Sequence, residues 1–113
     1  MENKKILSAL SIQEAEDLLH YCLGPEGEIV PGPHFREELM REGLELSDAW
    51  FVLKTGHVYL PPELDVKTGE WKYSVEGPES GGKYIVIVFC FKAVDNAFLI
   101  TVFSLKSLER RKP

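Results

Sequence analysis

Two apolar runs in the C-terminal half of the chain constrain its fold more than any other feature. The first run is residues 85–91, the second is residues 97–103, and a polar break at residues 92–96 separates them. Both runs are rich in β-branched and aromatic residues, and their length of seven residues is typical of strands. Asp95 and Asn96 in the break tolerate the backbone conformations that tight turns require. The pattern predicts an antiparallel hairpin at the centre of a sheet.

The size and composition of the chain are those of a single globular domain. A length of 113 residues is enough for one hydrophobic core, and the 44% hydrophobic and 27% charged content is ordinary for a soluble protein. No apolar run reaches the roughly 18 residues needed to cross a bilayer. Residues 1–19 also lack the apolar segment and cleavage site of a signal peptide. We therefore expect one domain, residues 1–113, in the cytoplasm and without a membrane segment.

The charge of the chain is acidic and unevenly distributed. The net charge is -5, and residues 1–46 carry four Lys and Arg against ten Asp and Glu, whereas residues 47–113 carry nine against eight. Because phosphate contacts supply much of the affinity for nucleic acids, this balance disfavours RNA as a non-specific partner. The basic cluster is the tail, residues 104–113, with Lys106, Arg110, Arg111 and Lys112. We expect this tail to be a solvated end of the chain.

The N-terminal part of the sequence predicts a helix followed by a loop. Ser11 and Glu14 form a capping-box pattern, after which apolar residues recur at helical spacing. The predicted helix covers residues 12–23 and is ended by Gly24. Residues 26–33 contain two prolines that cannot continue a helix, so they are predicted to be a loop.

Two further short helices are predicted before the hairpin. Residues 34–44 have a narrow apolar stripe, and Gly43 is placed for a left-handed C-cap. Ser47 is expected to cap a third helix that runs from Asp48 to about Thr55, where Asp48 is favourable at the positive end of the helix dipole.

The remainder of the chain reads as strands. Residues 58–60 and 71–75 are predicted strands that precede the two apolar runs. Helices therefore come first and an antiparallel meander follows. The predicted fold class is α+β, with two or three N-terminal helices packed on a three- to four-stranded antiparallel sheet.

No residue pattern predicts a metal or a cofactor. The three histidines, His20, His34 and His57, are far apart in sequence and have no ligand spacing. Cys22 and Cys90 have no CxxC spacing and lie among apolar neighbours, as small hydrophobic residues do. The glycines at residues 77–82 lack the Lys and helix start of a phosphate-binding loop, so this stretch is predicted to be a hairpin loop.

A set of weak motifs in the middle of the chain resembles a known family. The motifs are a His at a helix start, a Gly followed by an aliphatic residue at the helix end, a second short helix with an acidic start and a Gly end, and an Ile-Thr-Val strand. Here they are His34, Gly43-Leu44, Asp48, Gly56 and residues 100–102. Residues 34–103 thus resemble a bacterial domain family of unknown function that is grouped with the BrnT and RelE type toxins of toxin–antitoxin pairs. The resemblance implies a toxin-like core at residues 34–103, with the helix at residues 12–23 as an addition.

The sequence differs from the family pattern at two charged positions of the predicted second helix. The family places Arg four and eight residues after the His, and here these positions are Glu38 and Glu42. Arg36 and Arg41 lie nearby but on other sides of the helix, at 100° per residue, so they do not occupy the same face. The charge of this helical face is therefore inverted.

The resemblance implies metal-independent cleavage of RNA by a toxin that an antitoxin-like protein partner neutralises. Such chemistry needs a base for the ribose 2′-OH, an acid for the leaving oxygen and a cation near the scissile phosphate. The groups that could supply these roles are His34, Arg36, Arg41, Lys72, Tyr73 and Lys83.

Structural interpretations of the same residues stay open. The ring of His34 could cap its own helix or pack beside Phe35, and Tyr73 could pack on a sheet face instead of stacking on a base. The acidic N-terminal third and the Glu38 and Glu42 inversion favour a second hypothesis, a non-enzymatic protein-interaction module on the same fold. In that hypothesis the first helix either covers the sheet or presents its acidic residues to a partner.

Overall fold

The computed structural model of the protein describes residues 8–106. Within this part of the chain there are three α-helices and five β-strands. In chain order they are α1 (Ile12–Leu23), β1 (Glu28–Pro31), α2 (Pro33–Arg41), α3 (Leu46–Thr55), β2 (Glu63–Asp65), β3 (Glu70–Pro78), β4 (Tyr84–Ala93) and β5 (Asn96–Ser104). The α+β class predicted from the sequence is confirmed. The tail cations Arg110, Arg111 and Lys112 lie outside the described residues.

The five strands form one mixed sheet in the order β1, β5, β4, β3, β2. Strand β1 is parallel to β5, whereas the other neighbours are antiparallel. The predicted antiparallel sheet of three to four strands is therefore wrong in strand number and in the direction of one strand. Because β1 lies between α1 and α2, the predicted order of helices first and strands afterwards is also wrong.

The stretch predicted to be a loop, residues 26–33, supplies β1. Its backbone pairs with the C-terminal strand, and Glu28 N donates to Asp95 O at 2.8 Å where the pairing begins. Pro31 is tolerated because β1 is an edge strand, where one row of backbone groups needs no partner in the sheet. A strand of four residues has too few positions to show alternation, so the local sequence carries no signal for it.

The caps of the first two helices agree with the sequence. Ser11 Oγ accepts from Glu14 N at 3.1 Å and Glu14 Oε1 accepts from Ser11 N at 2.8 Å, which confirms the capping box of α1. Gly43 follows α2 with a φ of 69°, the left-handed conformation predicted for its cap. None of the described helices is long and apolar enough to cross a membrane.

The start of α3 differs from the prediction. The N-cap is Glu45 and not Ser47, and the helix begins at Leu46. The Asp48 carboxylate accepts from Glu45 N at 2.8 Å, so a side chain inside the first turn satisfies the backbone of the cap.

The segment between α3 and β3 also differs from the prediction, which placed a strand at residues 58–60. His57 makes an isolated bridge to Glu76 of β3, and the strand β2 starts only at Glu63. Two consecutive prolines interrupt the pairing because they lack the N–H group that a ladder requires. Residues 58–62 therefore leave the edge of β3 between these two contacts.

The two apolar runs form the predicted hairpin. Strands β4 and β5 are antiparallel, with Ile85 opposite Ser104 and Ala93 opposite Asn96. Strand β4 lies between β3 and β5, which confirms that the first run is a central strand. Burial of each Val, Ile or Phe side chain contributes about 1.5 to 3 kcal/mol, so this hairpin holds much of the hydrophobic stabilisation.

All three helices pack on the same side of the sheet, which we call the inner face. The strands contribute alternate side chains to the core, as their pleat requires, except that a bulge in β5 separates Leu99 from Val102 by three positions. These are Tyr73, Val75, Ile85, Ile87, Phe89, Phe91, Ala97, Leu99 and Val102. The helices contribute Ala15, Leu19, Cys22, Phe35, Leu39, Ala49, Val52 and Leu53. The opposite side of the sheet, the outer face, carries none of the described helices.

Candidate binding groove on the outer face

The candidate catalytic residues of α2 lie at its two ends. His34 and Arg36 are exposed in the first turn, and Arg36 Nε donates to Pro31 O at 3.3 Å. At the other end, Arg41 Nη1 lies 2.7 Å from Glu38 Oε2 in an ion pair. A helix of this length separates the two ends by more than two turns, so the structure does not bring these candidates together.

Lys83 contacts the C-terminal end of α2. Its Nζ lies 3.3 Å from Glu42 Oε1 and donates to Glu42 O at 2.5 Å. The Ser104 hydroxyl donates to Glu42 Oε1 at 2.7 Å. This hydrogen bond, and to a smaller extent Lys83, lowers the pKa of Glu42 below its ordinary value. The two glutamates of the inverted face are thus each paired, Glu38 with Arg41 and Glu42 with Lys83. The Glu38 pair lies within α2, whereas Glu42 connects the end of α2 to Lys83 and Ser104.

Tyr73 belongs to the inner face and is only 2% exposed. Its ring stacks on Phe89 with centroids 5.7 Å apart and meets the edge of Phe91 at 5.4 Å. Its hydroxyl oxygen accepts from Leu10 N at 2.9 Å, and burial raises the pKa of the phenol. In this position Tyr73 packs the core and anchors the segment that leads into α1.

Lys72 projects from β3 to the outer face, where it lines a groove. Its Nζ lies 3.4 Å from Asp65 Oδ2 of the neighbouring strand. Asp65 also accepts from Lys67 N at 3.0 Å. This hydrogen bond, and to a smaller extent Lys72, lowers the pKa of the Asp65 carboxyl. The cation is thus held against the sheet by a carboxylate.

The groove consists of two adjoining hollows with volumes of about 310 and 390 Å³. They share the side chains of Leu60, Ser74 and Val88, so they form one continuous channel across β3, β4 and β5. We call this channel the outer groove and define it by Leu60, Ser74, Val86, Val88, Thr101 and Phe103.

The sequence forms this groove for two local reasons. Strand β4 is apolar at nearly every position, so Val86 and Val88 face outward between residues that face the core. Residues 58–62 leave the edge of β3, and Leu60 of this excursion forms part of the wall. Leu60 and Phe103 are 47% and 40% exposed, and the groove therefore presents apolar side chains to solvent.

Carboxylates lie in the lining of both hollows. Glu63 lines the first hollow, and Glu76 lines the second, where it is only 4% exposed. Glu76 Oε1 accepts from the Tyr84 hydroxyl at 3.1 Å. Sequence reasoning missed both glutamates and the apolar groove residues. The signal in the sequence was the unbroken apolar run of β4, because such a strand needs both of its faces shielded from water.

The remaining reactive groups supply no further site among residues 8–106. Cys22 and Cys90 are buried free thiols, and burial raises the pKa of each to about 11, so neither is a ready nucleophile. In the same part of the chain, no group of three or more His, Cys, Asp or Glu is placed to hold a metal ion.

Comparisons with known proteins leave the family open. No protein-family model matches the chain, and no curated protein or solved structure is significantly similar to it. The similarity of residues 34–103 to BrnT and RelE type toxins stays a prediction. A function is therefore inferred from the chemistry of the outer groove.

Proposed function

We propose that this protein is a non-enzymatic interaction module, built on a RelE/BrnT-like core, that binds an extended segment of a protein partner in the outer groove. The observation that supports this function most is the apolar channel across three strands, on the sheet face that none of the described helices covers. Of the six candidate catalytic residues, Lys72 and Tyr73 border that channel, and Tyr73 is only 2% exposed. A groove that exposes apolar side chains such as Leu60 and Phe103 is typical of a protein-binding site.

The shape and charge of the groove specify the partner segment. A channel across the face of a pleated sheet accepts an extended chain whose alternate side chains point into it. The walls formed by Leu60, Val88 and Phe103 suit aliphatic side chains. Lys72 in the first hollow is paired with Asp65, so the carboxylates of Glu63 and Glu76 favour a segment with a Lys or Arg beside its apolar residues. Complementary charge fixes register and excludes acidic competitors.

Calorimetric titration with synthetic peptides tests this function. The probe is a peptide of about eight residues, near the usual length of a strand, with Val or Leu at alternate positions and Lys at one end. We expect saturable binding of this peptide. A peptide with Glu in place of Lys should bind at least about tenfold more weakly because of repulsion by Glu63 and Glu76.

Leu60 and Leu64 provide a matched pair of variants. Both side chains are 47% exposed, but Leu60 lines the groove, whereas Leu64 is paired with Trp71, which packs against the inner core. Leu60→Ser should weaken peptide binding by about tenfold, since burial of a Leu side chain contributes about 1.5 to 3 kcal/mol. Leu64→Ser should leave the affinity within about twofold. Equal effects of the two variants, or no binding of any peptide, would reject the proposal.

One observation favours RNA cleavage as a second candidate function. Lys72 and Glu63 both line the first hollow, together with the hydroxyls of Ser74 and Thr101. In this hypothesis Lys72 supplies the cation near the phosphate and Glu63 supplies the base.

Incubation of the purified protein with total RNA tests this second candidate. Lys72→Met should reduce cleavage by at least about a hundredfold, the usual range for loss of one catalytic group. Lys83→Met removes the same charge at the end of α2, outside the groove lining, and should retain cleavage. Intact RNA, together with normal growth of cells that produce the protein, rejects the ribonuclease.

A further inference from the structure

Helix α1 carries more apolar surface than the core uses. Ala15, Leu19 and Cys22 form its buried side and are at most 1% exposed. Leu18 borders this side and packs partly against the core, whereas Tyr21 lies farther round the helix and is 49% exposed. A helix that only covers the sheet would carry polar residues on this flank. The exposed ring of Tyr21 therefore calls for a separate explanation.

The flank with Leu18 and Tyr21 borders a hollow on the surface of α1. Leu10, Leu18 and Tyr21 line it together with Glu14 and Asp17, and its volume is about 460 Å³. The four helical residues are spaced i, i+3, i+4 and i+7, so they share one face of the helix. We call this surface the α1 face.

The α1 face is held in place by the fold. Leu10 N donates to the hydroxyl of the buried Tyr73 at 2.9 Å, which fixes the residue that begins the face. The Glu14 carboxylate closes the capping box through its Oε1 atom. Asp17 Oδ1 accepts from Gln13 Nε2 at 2.9 Å. The surface is thus formed before a ligand arrives, which lowers the entropic cost of binding.

The charges on the α1 face select among its ligands. Among residues 8–106, two carboxylates and no Lys or Arg belong to the lining of the hollow. Two copies of the face would bring four carboxylates together, so the charge disfavours pairing with a second copy of this chain. A ligand that combines an apolar stripe with cations is complementary to the face in both respects.

We propose that the α1 face docks an amphipathic α-helix of a protein partner that carries Lys or Arg beside its apolar stripe. The exposed side of a helix of 12 residues is a straight strip about 18 Å long, which suits a second helix packed along it. Apolar residues of the partner fill the hollow, and its cations meet Glu14 and Asp17. This site lies on the helical side of the sheet and does not depend on the outer groove.

Fluorescence anisotropy with labelled model peptides tests the proposal. The probe is a helix-forming peptide of about 18 residues, near five turns, with Leu at i, i+3, i+4 and i+7 and Lys at most other positions. We expect saturable binding that weakens as salt rises. A peptide of the same composition with its Leu residues scattered around the helix, and one with Glu in place of Lys, should each bind at least about tenfold more weakly.

Matched charge reversals assign the binding to the α1 face. Asp17→Lys should weaken the affinity by about tenfold, because it replaces attraction by repulsion at the edge of the hollow. Glu37→Lys makes the same change at an exposed position of α2, outside the hollow, and should alter the affinity by less than about twofold. Tyr21→Ser removes apolar contact without a charge change and should also weaken binding. Circular dichroism confirms that each variant keeps its helices.

The opposite results overturn the proposal. If the scattered peptide binds as well as the amphipathic one, or if Glu37→Lys weakens binding as much as Asp17→Lys, the attraction is general electrostatics and not this face. Leu60→Ser on the outer face should leave the helical peptide unaffected. Loss of binding in that variant would assign the peptide to the outer groove instead.

Discussion

The two faces of the central sheet are apolar but are covered in different ways. On the inner face, side chains such as Val75, Ile87 and Leu99 are fully buried under three helices. On the outer face, Phe103 stays 40% exposed, although it lies in the same strand as Leu99. A continuous apolar run such as β4 thus supplies the core on one side and the lining of the outer groove on the other. The difference between the faces can be measured.

The largest expected effect is a difference in the free energy of unfolding between variants of two phenylalanines, one on each face of the sheet. Phe89 is fully buried between the rings of Tyr73 and Phe91, so Phe89→Ala should reduce the free energy of unfolding by about 3 to 5 kcal/mol. Phe103→Ala on the outer face should reduce it by only about 1 kcal/mol, because a large part of the ring is already in water.

Urea unfolding measures both changes. Similar losses in the two variants would show that the outer face is part of the core, and the distinction between the faces would fail. If Phe103→Ala affects stability little but weakens the groove peptide, the division of roles is supported.

A smaller effect concerns the bond that ties the inner face to α1. Tyr73→Phe removes the acceptor for Leu10 N and should reduce the free energy of unfolding by about 1 kcal/mol, the usual net contribution of one hydrogen bond. Tyr21→Phe removes an exposed hydroxyl and should have no measurable effect on stability. If Tyr73→Phe leaves the free energy of unfolding unchanged, the segment before α1 is held by packing alone.

The smallest effect depends on pH and lies at the polar border of the inner face. The Ser104 hydroxyl and Lys83 lower the pKa of Glu42 below its ordinary value of 4.5 in the folded protein. The stabilisation is therefore present above pH 4.5 and is lost as the pH falls below 4.5 through the folded pKa. At neutral pH, Ser104→Ala should reduce the free energy of unfolding by about 0.5 kcal/mol, the lower end for one hydrogen bond, because the Glu42 side chain is 25% exposed.

The difference between the native protein and Ser104→Ala should shrink as the solution becomes more acidic. Ser47→Ala is the control, since Ser47 is exposed and is not the N-cap of α3, and any difference that it makes should not vary with pH. A Ser104→Ala difference that stays constant across the acid range would remove Glu42 from the explanation.

Elements with strong local signals were predictable from the sequence. The hairpin of β4 and β5 follows from two long apolar runs around a turn, and α1 follows from a capping box and a regular stripe. Strand β1 was missed because its partner is distant in sequence and four residues carry no periodicity.

The outer groove could not be predicted because it depends on tertiary arrangement. Which face of β4 the helices cover is decided by packing, and the position of Leu60 depends on where residues 58–62 leave the edge of β3. Tyr73 entered the list of catalytic candidates through its residue type alone. Its alternation with Val75 places it in the core, where the structure finds it.

The parallel pairing of β1 with β5 has a consequence for synthesis of the chain. Both the side chain and the backbone of Glu28 pair with Asn96, which is synthesised 68 residues later. On the ribosome, the helices and the β3–β4 ladder can form while β1 is still unpaired, since local contacts assemble first. Only the last strand to emerge joins the first strand to the sheet, so a nascent chain halted before that point would expose the unfilled edge of β4 to other chains.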